Sequence, residues 1–133
     1  MSAPADTSPG ARYAALLERF KTGWEKGNAD RIVDLFTPDG GFVAGPFDPP
    51  AKGHDAIRAY WRDAPMEQAE VALRFGEIFV AGPWFATEFK CTFRRRRTGH
   101  KVIVRGALFC ETSGDLLSEM RMYWDRVVDR LPG

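Results

Sequence analysis

The sequence has few of the residues that hold metals, disulfides or phosphates. Its 133 residues include two cysteines and two histidines, and their spacing matches no metal site. It has no glycine-rich phosphate loop and no nucleophile motif. No apolar run approaches the roughly 18 residues that span a bilayer. The sequence therefore predicts a protein without a metal, a cofactor or a contact with a membrane.

An excess of charge of one sign is also missing. The formal net charge is +1, which argues against a dedicated partner such as a nucleic acid or an acidic membrane. The basic run Arg94–Arg97 has no aromatic stacking surface beside it, so we interpret it as a solvated hairpin tip, with an anion-binding patch as the alternative. Cys91 and Cys110 lie in apolar strand patterns, where thiols are usually buried. We expect a cytoplasmic protein.

Aromatic residues are abundant, at 13% of the chain. An apolar stripe at helical spacing follows Ser8-Pro9, which is a typical helix start. Asn28 is a good cap for a second helix that ends near Phe36, and a third helix is predicted to begin near His54. The expected apolar stripe of the first helix consists of Tyr13, Leu16, Leu17, Phe20 and Trp24.

The second half of the chain alternates apolar and polar residues with a period of two, which is typical of strands. A short strand is predicted earlier, at Gly41–Gly45. Helices followed by a strand meander indicate an α+β fold. We expect a flexible N-terminus at 1–10, one domain at 11–128 and a short tail at 129–133. The four long strands are predicted at Val71–Ala81, Phe85–Phe93, Lys101–Glu111 and Leu116–Val128.

Five sequence landmarks follow one another in a familiar order. They are Gly27-Asn28-Ala29-Asp30 before Leu35-Phe36, the turn Thr37–Gly40, Gly53–Ile57, the pair Tyr60-Trp61, and Tyr123-Trp124-Asp125. In these landmarks the chain resembles the nuclear transport factor 2-like superfamily, particularly its SnoaL-like members. The resemblance implies a cystatin-like cone, in which three N-terminal helices pack in the concave face of a strongly curved, mostly antiparallel sheet.

The resemblance also implies a pocket inside the cone. Helical and alternating aromatics are more often plain core than a ligand site, but the cone favours their partial exposure to a pocket, so both interpretations stay open. Relatives include ketosteroid isomerases, polyketide cyclases, epoxide hydrolases and modules that only bind, so the fold does not decide the function. The expected partner is a hydrophobic small molecule. The residues expected to bind it are Phe20, Trp24, Phe36, Trp61, Phe85, Phe89 and Cys91.

Two reactions known among such relatives lack their residues here. Ala44 stands where the resemblance places the base of a ketosteroid isomerase, and Phe20 stands where it places the oxyanion-hole tyrosine. Neither side chain can move a proton. Arg105 matches the arginine of a limonene epoxide hydrolase, but the paired aspartate is missing at Ala107.

A polar row remains on the last predicted strand. Glu119, Arg121, Tyr123 and Asp125 share one face by alternation, and the register of the resembled family points that face into the cone. The row could then supply acid–base groups and an anion stabiliser. Two alternatives stay open. Glu119 and Arg121 could pair with charges on the neighbouring strand, or the opposite face could be the inner one.

Two further features shape the hypotheses. His54 could act as a general base near neutral pH, or it could make a local hydrogen bond at the start of its helix. Met120, Met122 and Trp124 could form an apolar patch on the convex face of the sheet, through which two copies would form a homodimer.

The hypotheses are a cofactor-independent acid–base enzyme (an isomerase, cyclase or hydrolase), a non-catalytic binding module, and a dimerisation module. A cone without a cavity of roughly 300 Å³ would favour the last.

Overall fold

Three α-helices, one 3₁₀ turn and six strands make up residues 8–129, the part of the chain that this computed structural model describes. The helices are α1 (Pro9–Glu25), α2 (Ala29–Val33) and α3 (Gly53–Asp63), with the 3₁₀ turn at Ala64–Glu67. The strands are β1 (Phe36–Val43), β2 (Ala51–Lys52), β3 (Gln68–Ala81), β4 (Trp84–Arg95), β5 (Lys101–Ser113) and β6 (Leu116–Asp129).

The expected ends of the domain need two corrections. Pro9 and Gly10 belong to α1 and not to a flexible segment, and Asp129 is the last residue of β6 and not of a tail. Residues 1–7 and 130–133 of those predicted segments lie outside the described residues. None of the helices in the described part of the chain is both long and apolar enough to span a bilayer.

The helix starts form where the sequence predicts them. The Ser8 hydroxyl accepts a hydrogen bond from the Ala11 amide at 3.3 Å, and the Asn28 side chain accepts one from the Arg31 amide at 3.2 Å. Between the helices, Gly27 has a φ of +62°, a left-handed conformation that glycine adopts without a steric penalty. These local signals separate α1 from α2.

The second helix is shorter than predicted. It ends at Val33, and the chain enters β1 at Phe36. The Leu117 amide of β6 donates to the Leu35 carbonyl at 2.7 Å, and Phe36 pairs with Leu117 in register. Pairing with the last strand thus supplies partners that a longer helix would have supplied, and tertiary contacts override the helical pattern.

The sheet has the strand order β2-β1-β6-β5-β4-β3, with β1 parallel to β6 and every other pair antiparallel. Bulges interrupt the outer strand β3 between Ala69 and Ala72 and again between Phe75 and Ile78. The helices pack in the concave face of this open, curved sheet, which confirms the predicted α+β cone. The buried core joins helix residues such as Phe20 and sheet residues such as Leu108.

Candidate functional site

The last strand faces the opposite way from the orientation expected. Met120 and Met122 are buried, because β6 pairs with β5 in a register that places them beside Cys110 and Leu108 in the core. The row Glu119, Arg121, Tyr123 and Asp125 therefore lies on the convex face. The expectation that this row lines the cone is wrong. So is the expectation that Met120 and Met122 form an exposed patch, since burial of thioether side chains is favourable and burial of charges is costly.

The convex row is occupied by contacts of its own. Arg121 Nε lies 3.0 Å from Glu119 Oε1 on the same strand, and the Arg121 guanidinium lies 5.5 Å from the centre of the Trp84 ring. The hydrogen bond to Glu119, with its charge, raises the pKa of Arg121. The arginine thus pairs along its own strand and not across the sheet. The acid–base roles expected of this row required it to line a cavity inside the cone, and the row lies outside the cone.

The concave side of the sheet holds a cavity of about 140 Å³ at the open end of the cone. Arg126 is its charged lining residue, and this side chain is solvent-exposed, which places it at the mouth. The cavity is otherwise bordered mainly by aromatic rings. We call this space the aromatic cavity. Its lining consists of Trp24, Tyr60, Trp61, Ala64, Gln68, Phe93, Val104, Met122, Trp124 and Arg126.

Two of the seven residues expected to bind a ligand, Trp24 and Trp61, border the aromatic cavity. The other five lie in the closed core, where aromatic rings fill the cone: the Phe85 ring, for example, stacks on Tyr13 with centroids 4.4 Å apart. The expectation that these five line a pocket is corrected by this close packing. They are Phe20, Phe36, Phe85, Phe89 and Cys91, each at most 4% exposed.

Sequence reasoning missed most of the lining. The alternation Met122, Trp124, Arg126 was the available signal, because these residues share a face once Met120 and Met122 are assigned to the core. In the sequence prediction, Tyr60 appears only as the neighbour of Trp61 in one landmark. The rings of Tyr60 and Trp61 meet edge to face with centroids 5.2 Å apart, which joins the two residues into one wall.

The three indole N–H groups of the aromatic cavity differ in their partners. Trp24 Nε1 donates to Gln68 Oε1 at 2.9 Å, and Trp124 Nε1 donates to the Ala44 carbonyl. Trp61 Nε1 is buried and has no hydrogen-bond partner in the described part of the chain. Trp61 is therefore the one indole of the three whose hydrogen-bonding capacity is unused. A buried donor without an acceptor is costly.

Tyr60 is an uncharged donor at neutral pH. Burial raises the pKa of its hydroxyl, and the negative charge of Asp48 raises it further. The phenol therefore keeps its proton and can donate a hydrogen bond to a ligand.

His54 lies outside the aromatic cavity. Its Nε2 is 2.9 Å from the Phe36 carbonyl, a contact that joins the first turn of α3 to the first residue of β1. The ring is half-buried and is not among the lining residues. This geometry matches the local hydrogen bond that was the alternative to a general base.

Other parts of the surface offer less. A larger groove of about 300 Å³ lies on the outside of α1 and α2, but it is lined by Glu18, Arg19, Thr22, Arg31 and Asp34 and contains no aromatic ring. Within residues 8–129, no group of three or more His, Cys, Asp or Glu side chains is placed to hold a metal ion.

Comparison with known proteins gives a family and a set of similar folds. The family model described as "SnoaL-like domain" matches residues 17–120. A comparison with curated protein sequences finds no match.

Three solved structures illustrate the similarity. A Catenulispora acidiphila protein with a ketosteroid isomerase-like fold, in complex with trimethylamine, has a TM-score of 0.74 and 17% identity, covering 81% of this chain and 83% of its own. The epoxide hydrolase/cyclase-like enzyme SalBIII, of pyran ring formation in polyether salinomycin, has a TM-score of 0.79 and 16% identity, covering 90% of this chain and 98% of its own. An LEH-like epoxide hydrolase from Mycobacterium tuberculosis has a TM-score of 0.72 and 13% identity, covering 89% of this chain and 86% of its own. At these identities the similarity shows the fold.

Proposed function

Because this chain belongs to the SnoaL-like domain family, whose model matches most of its length, we propose that it binds a small hydrophobic molecule in the aromatic cavity. The observation that carries the proposal is the lining itself. Three indoles, a phenol and a phenyl ring border one space on the concave side of the sheet. Aromatic walls with few polar groups are typical of small-molecule sites.

The size of the aromatic cavity restricts the ligand. At about 140 Å³ it is smaller than the roughly 300 Å³ at which drug-sized pockets begin. By the size criterion of the sequence analysis this favours the dimerisation module, and association of two copies is therefore proposed below beside binding. Apolar cavities of roughly 150 Å³ accommodate one benzene-sized ring. The proposed ligand is therefore a one-ring compound, and larger polycyclic molecules are poor candidates.

We propose binding without turnover. No described lining residue carries a carboxylate, an imidazole or a thiol, and these are the usual groups that accept a proton in general base catalysis. The Tyr60 hydroxyl is protonated at neutral pH, as an ordinary phenol is, and burial raises its pKa further, so it is a hydrogen-bond donor and not a base. The family and the fold are those of possible cofactor-independent enzymes, and this chain keeps their cone without the acid–base set expected of them.

Thermal unfolding and tryptophan fluorescence with one-ring compounds test this proposal. We expect toluene and cyclohexanol to raise the melting temperature, because a ligand that binds only the folded state stabilises it. They should also change the emission of Trp24, Trp61 and Trp124, which border the cavity. Proton NMR of the mixture should show the ligand unchanged after prolonged incubation.

A cavity-filling variant gives the matched control. Ala64 borders the aromatic cavity, so Ala64→Leu should abolish binding, whereas Ala14→Leu on the exposed side of α1 should leave it intact. Binding that survives Ala64→Leu unchanged, or no binding of any one-ring compound, would contradict the proposal. New product resonances would contradict the absence of turnover.

We also propose that two copies associate through the convex face. Phe79, Phe109 and Tyr123 are 59%, 44% and 40% exposed on that face. Phe79 and Phe109 both pair in register with Ala86, and the rings of Phe109 and Tyr123 meet edge to face at 5.7 Å. We call this surface the convex patch. Exposed apolar patches of this kind are typical of interfaces.

Charges around the convex patch favour a second copy as its partner. Glu111 and Glu119 face each other at one end of the strands, while Arg74, Lys90 and Arg105 face one another in a row nearer the other end, which continues to Asp125 on β6. The three basic residues form no ion pair within residues 8–129. A two-fold axis running across the strands would bring the acidic end of one copy to the basic row of the other.

Analytical ultracentrifugation of the whole chain tests the association. We expect a dimer, and Phe109→Glu should give a monomer, because a charge in an apolar interface is costly. Phe47→Glu is the control, since Phe47 is 98% exposed in the loop between β1 and β2 and lies outside the convex patch. A monomeric parent chain, or a Phe109→Glu variant that stays dimeric, would overturn this proposal.

The cytoplasm is the proposed location. Cys91 and Cys110 are both unpaired and buried, as is common for proteins of reducing compartments.

A further inference from the structure

The hydrogen-bonding groups of the aromatic cavity differ in whether they already have a partner within the protein. The indole N–H groups of Trp24 and Trp124 are already used within the protein, and the Gln68 side-chain oxygen is used by Trp24. Trp61 Nε1 is a buried donor without a partner in residues 8–129, in a side chain that is 1% exposed, and the Tyr60 hydroxyl is a further donor on the same wall. The space is therefore short of acceptors, and a ligand must bring its own.

A positive charge lies at the mouth of the same space. Arg126 follows Trp124 by two residues on β6, so both side chains lie on the concave face. No ion pair of residues 8–129 involves Arg126. Its guanidinium is solvent-exposed and is free to form the two parallel hydrogen bonds that arginine makes with a carboxylate.

Asp48 supplies a negative charge that acts on the Tyr60 hydroxyl, but Asp48 is not among the residues that line the cavity. No described lining residue is acidic. An aromatic cage without a cation at its mouth would suit an ammonium ligand, but here an ammonium group would meet a like charge. The aromatic rings, the unused N–H donor and the arginine together match an anion attached to a ring.

From this geometry we infer that the ligand of the aromatic cavity is a one-ring carboxylate, with its ring among the indoles of Trp24, Trp61 and Trp124 and its oxygens directed to Arg126. The inference rests on the proposed function, since it names the chemical class of ligand for the same cavity. The raised pKa of Tyr60 keeps a neutral donor on the same wall.

Three one-ring probes of similar size test the charge preference by titration calorimetry on the whole chain: benzoate, benzamide and benzylamine. We expect benzoate to bind about tenfold more tightly than benzamide, because hydrogen bonds between charged groups are about twice as strong as neutral ones. We expect benzylamine to bind more weakly than benzamide, because its ammonium group approaches Arg126.

Variants assign the preference to one residue. Arg126→Gln should reduce benzoate affinity to the level of benzamide and leave the affinity for benzamide nearly unchanged. Arg97→Gln is the matched control and should change neither affinity, because Arg97 is exposed in the turn between β4 and β5 and lies outside the cavity lining. Circular dichroism shows whether each variant is folded, and the retained benzamide affinity shows whether the cavity is intact.

The outcomes separate the inference from the proposed function. Equal binding of the three probes, preference for benzylamine, or a benzoate preference that survives Arg126→Gln would overturn the carboxylate inference and leave a hydrophobic site. Failure of all three probes, together with failure of toluene and cyclohexanol, would overturn the proposed function and the inference with it.

Discussion

Gly106 lies where β5 passes closest to the backbone of β6. A Cβ atom at this position would overlap the Tyr123 carbonyl oxygen and lie 2.8 Å from the Cα atom of Trp124. Neither atom belongs to a flexible side-chain end, so the backbone itself would have to move. The absence of a side chain at Gly106 thus allows the strand that bears Trp124 to approach its neighbour.

The first prediction concerns this close approach. Gly106→Ala should lower the free energy of unfolding by about 1–3 kcal/mol, the usual cost of overpacking, as measured by urea denaturation. Gly41→Ala is the control, because a Cβ at Gly41 in β1 would meet nothing within 4 Å. Equal stabilities of the two variants would show that the β5–β6 spacing adjusts freely.

The second prediction concerns the two thiols. Burial raises the pKa of Cys91 to about 12, with a smaller contribution from Glu25, and burial also raises the pKa of Cys110. Because the thiolate is the reactive form, iodoacetamide should modify neither cysteine of the folded chain at mildly alkaline pH. Mass spectrometry should show two additions after unfolding in urea; rapid modification of the native chain would refute the burial argument.

At the scale of elements, helix α1 is joined to the outer strand by one carboxylate. Glu25 Oε2 accepts a hydrogen bond from the Leu73 amide at 2.8 Å, and Glu25 Oε1 lies 3.1 Å from Lys21 Nζ. The Leu73 amide belongs to an edge strand and has no strand on its outer side. The end of α1 thus supplies the partner that a further strand would otherwise supply.

The third prediction follows from this contact. Glu25→Ala should speed hydrogen exchange of the Leu73 amide and cost about 1.5–3 kcal/mol of unfolding free energy, as hydrogen bonds to charged groups do. Exchange measured by NMR gives the residue-level result. Glu18→Ala, on the exposed side of the same helix, should change neither quantity. Unaltered protection of Leu73 in Glu25→Ala would mean that the carboxylate is dispensable.

The sequence was sufficient to predict most elements but not the orientation of one strand. Turn glycines, helix caps and strand alternation are local signals, and the fold they predict is the one observed. Alternation along β6 separates two faces, yet it does not say which is inner when one has Met120, Met122 and Trp124 and the other has four polar residues. A one-residue choice of register exchanges every side chain.

The sequence prediction placed the candidate site on the wrong residues, because it assigned the wrong face of β6 to the cone. The convex row of charges looked like a catalytic set because it was assigned to the cone. Once β6 is oriented by the burial of its methionines, Trp124 and Arg126 become lining residues. The aromatic cavity could therefore have been predicted from the pattern of β6 together with one further rule, that apolar thioethers are buried in preference to charged side chains.

At the scale of the whole molecule, a nearly neutral chain carries charge in separate regions. The formal net charge is +1, but the convex face has Glu111 and Glu119 at one end and the row Arg74, Lys90 and Arg105 nearer the other. Arg121 pairs with Glu119, and Asp125 lies opposite Arg105, so each region has one opposite charge. The like charges that remain opposite each other are unfavourable without a further partner.

The fourth prediction uses this separation of charge. If a second copy covers the convex face, raising NaCl from roughly 50 mM to roughly 500 mM should weaken the dimer, because salt at that concentration screens exposed charges beyond a few ångströms. Sedimentation over a dilution series measures the dissociation constant. An association that strengthens with salt would indicate that the apolar convex patch alone holds the copies together and that the charge argument is wrong.

The bulges of the outer strand have a consequence for solubility. A sheet that is not closed leaves β3, which is 14 residues long, without a neighbouring strand on its outer side, and long regular edges are where misfolded chains add strand upon strand. Here the first bulge contains Glu70 in the left-handed region at a φ of 56°, and a second bulge follows after Phe75. An incoming strand would find no long stretch in a single register. The distortions that curve the cone thus also protect the chain against fibrillar aggregation.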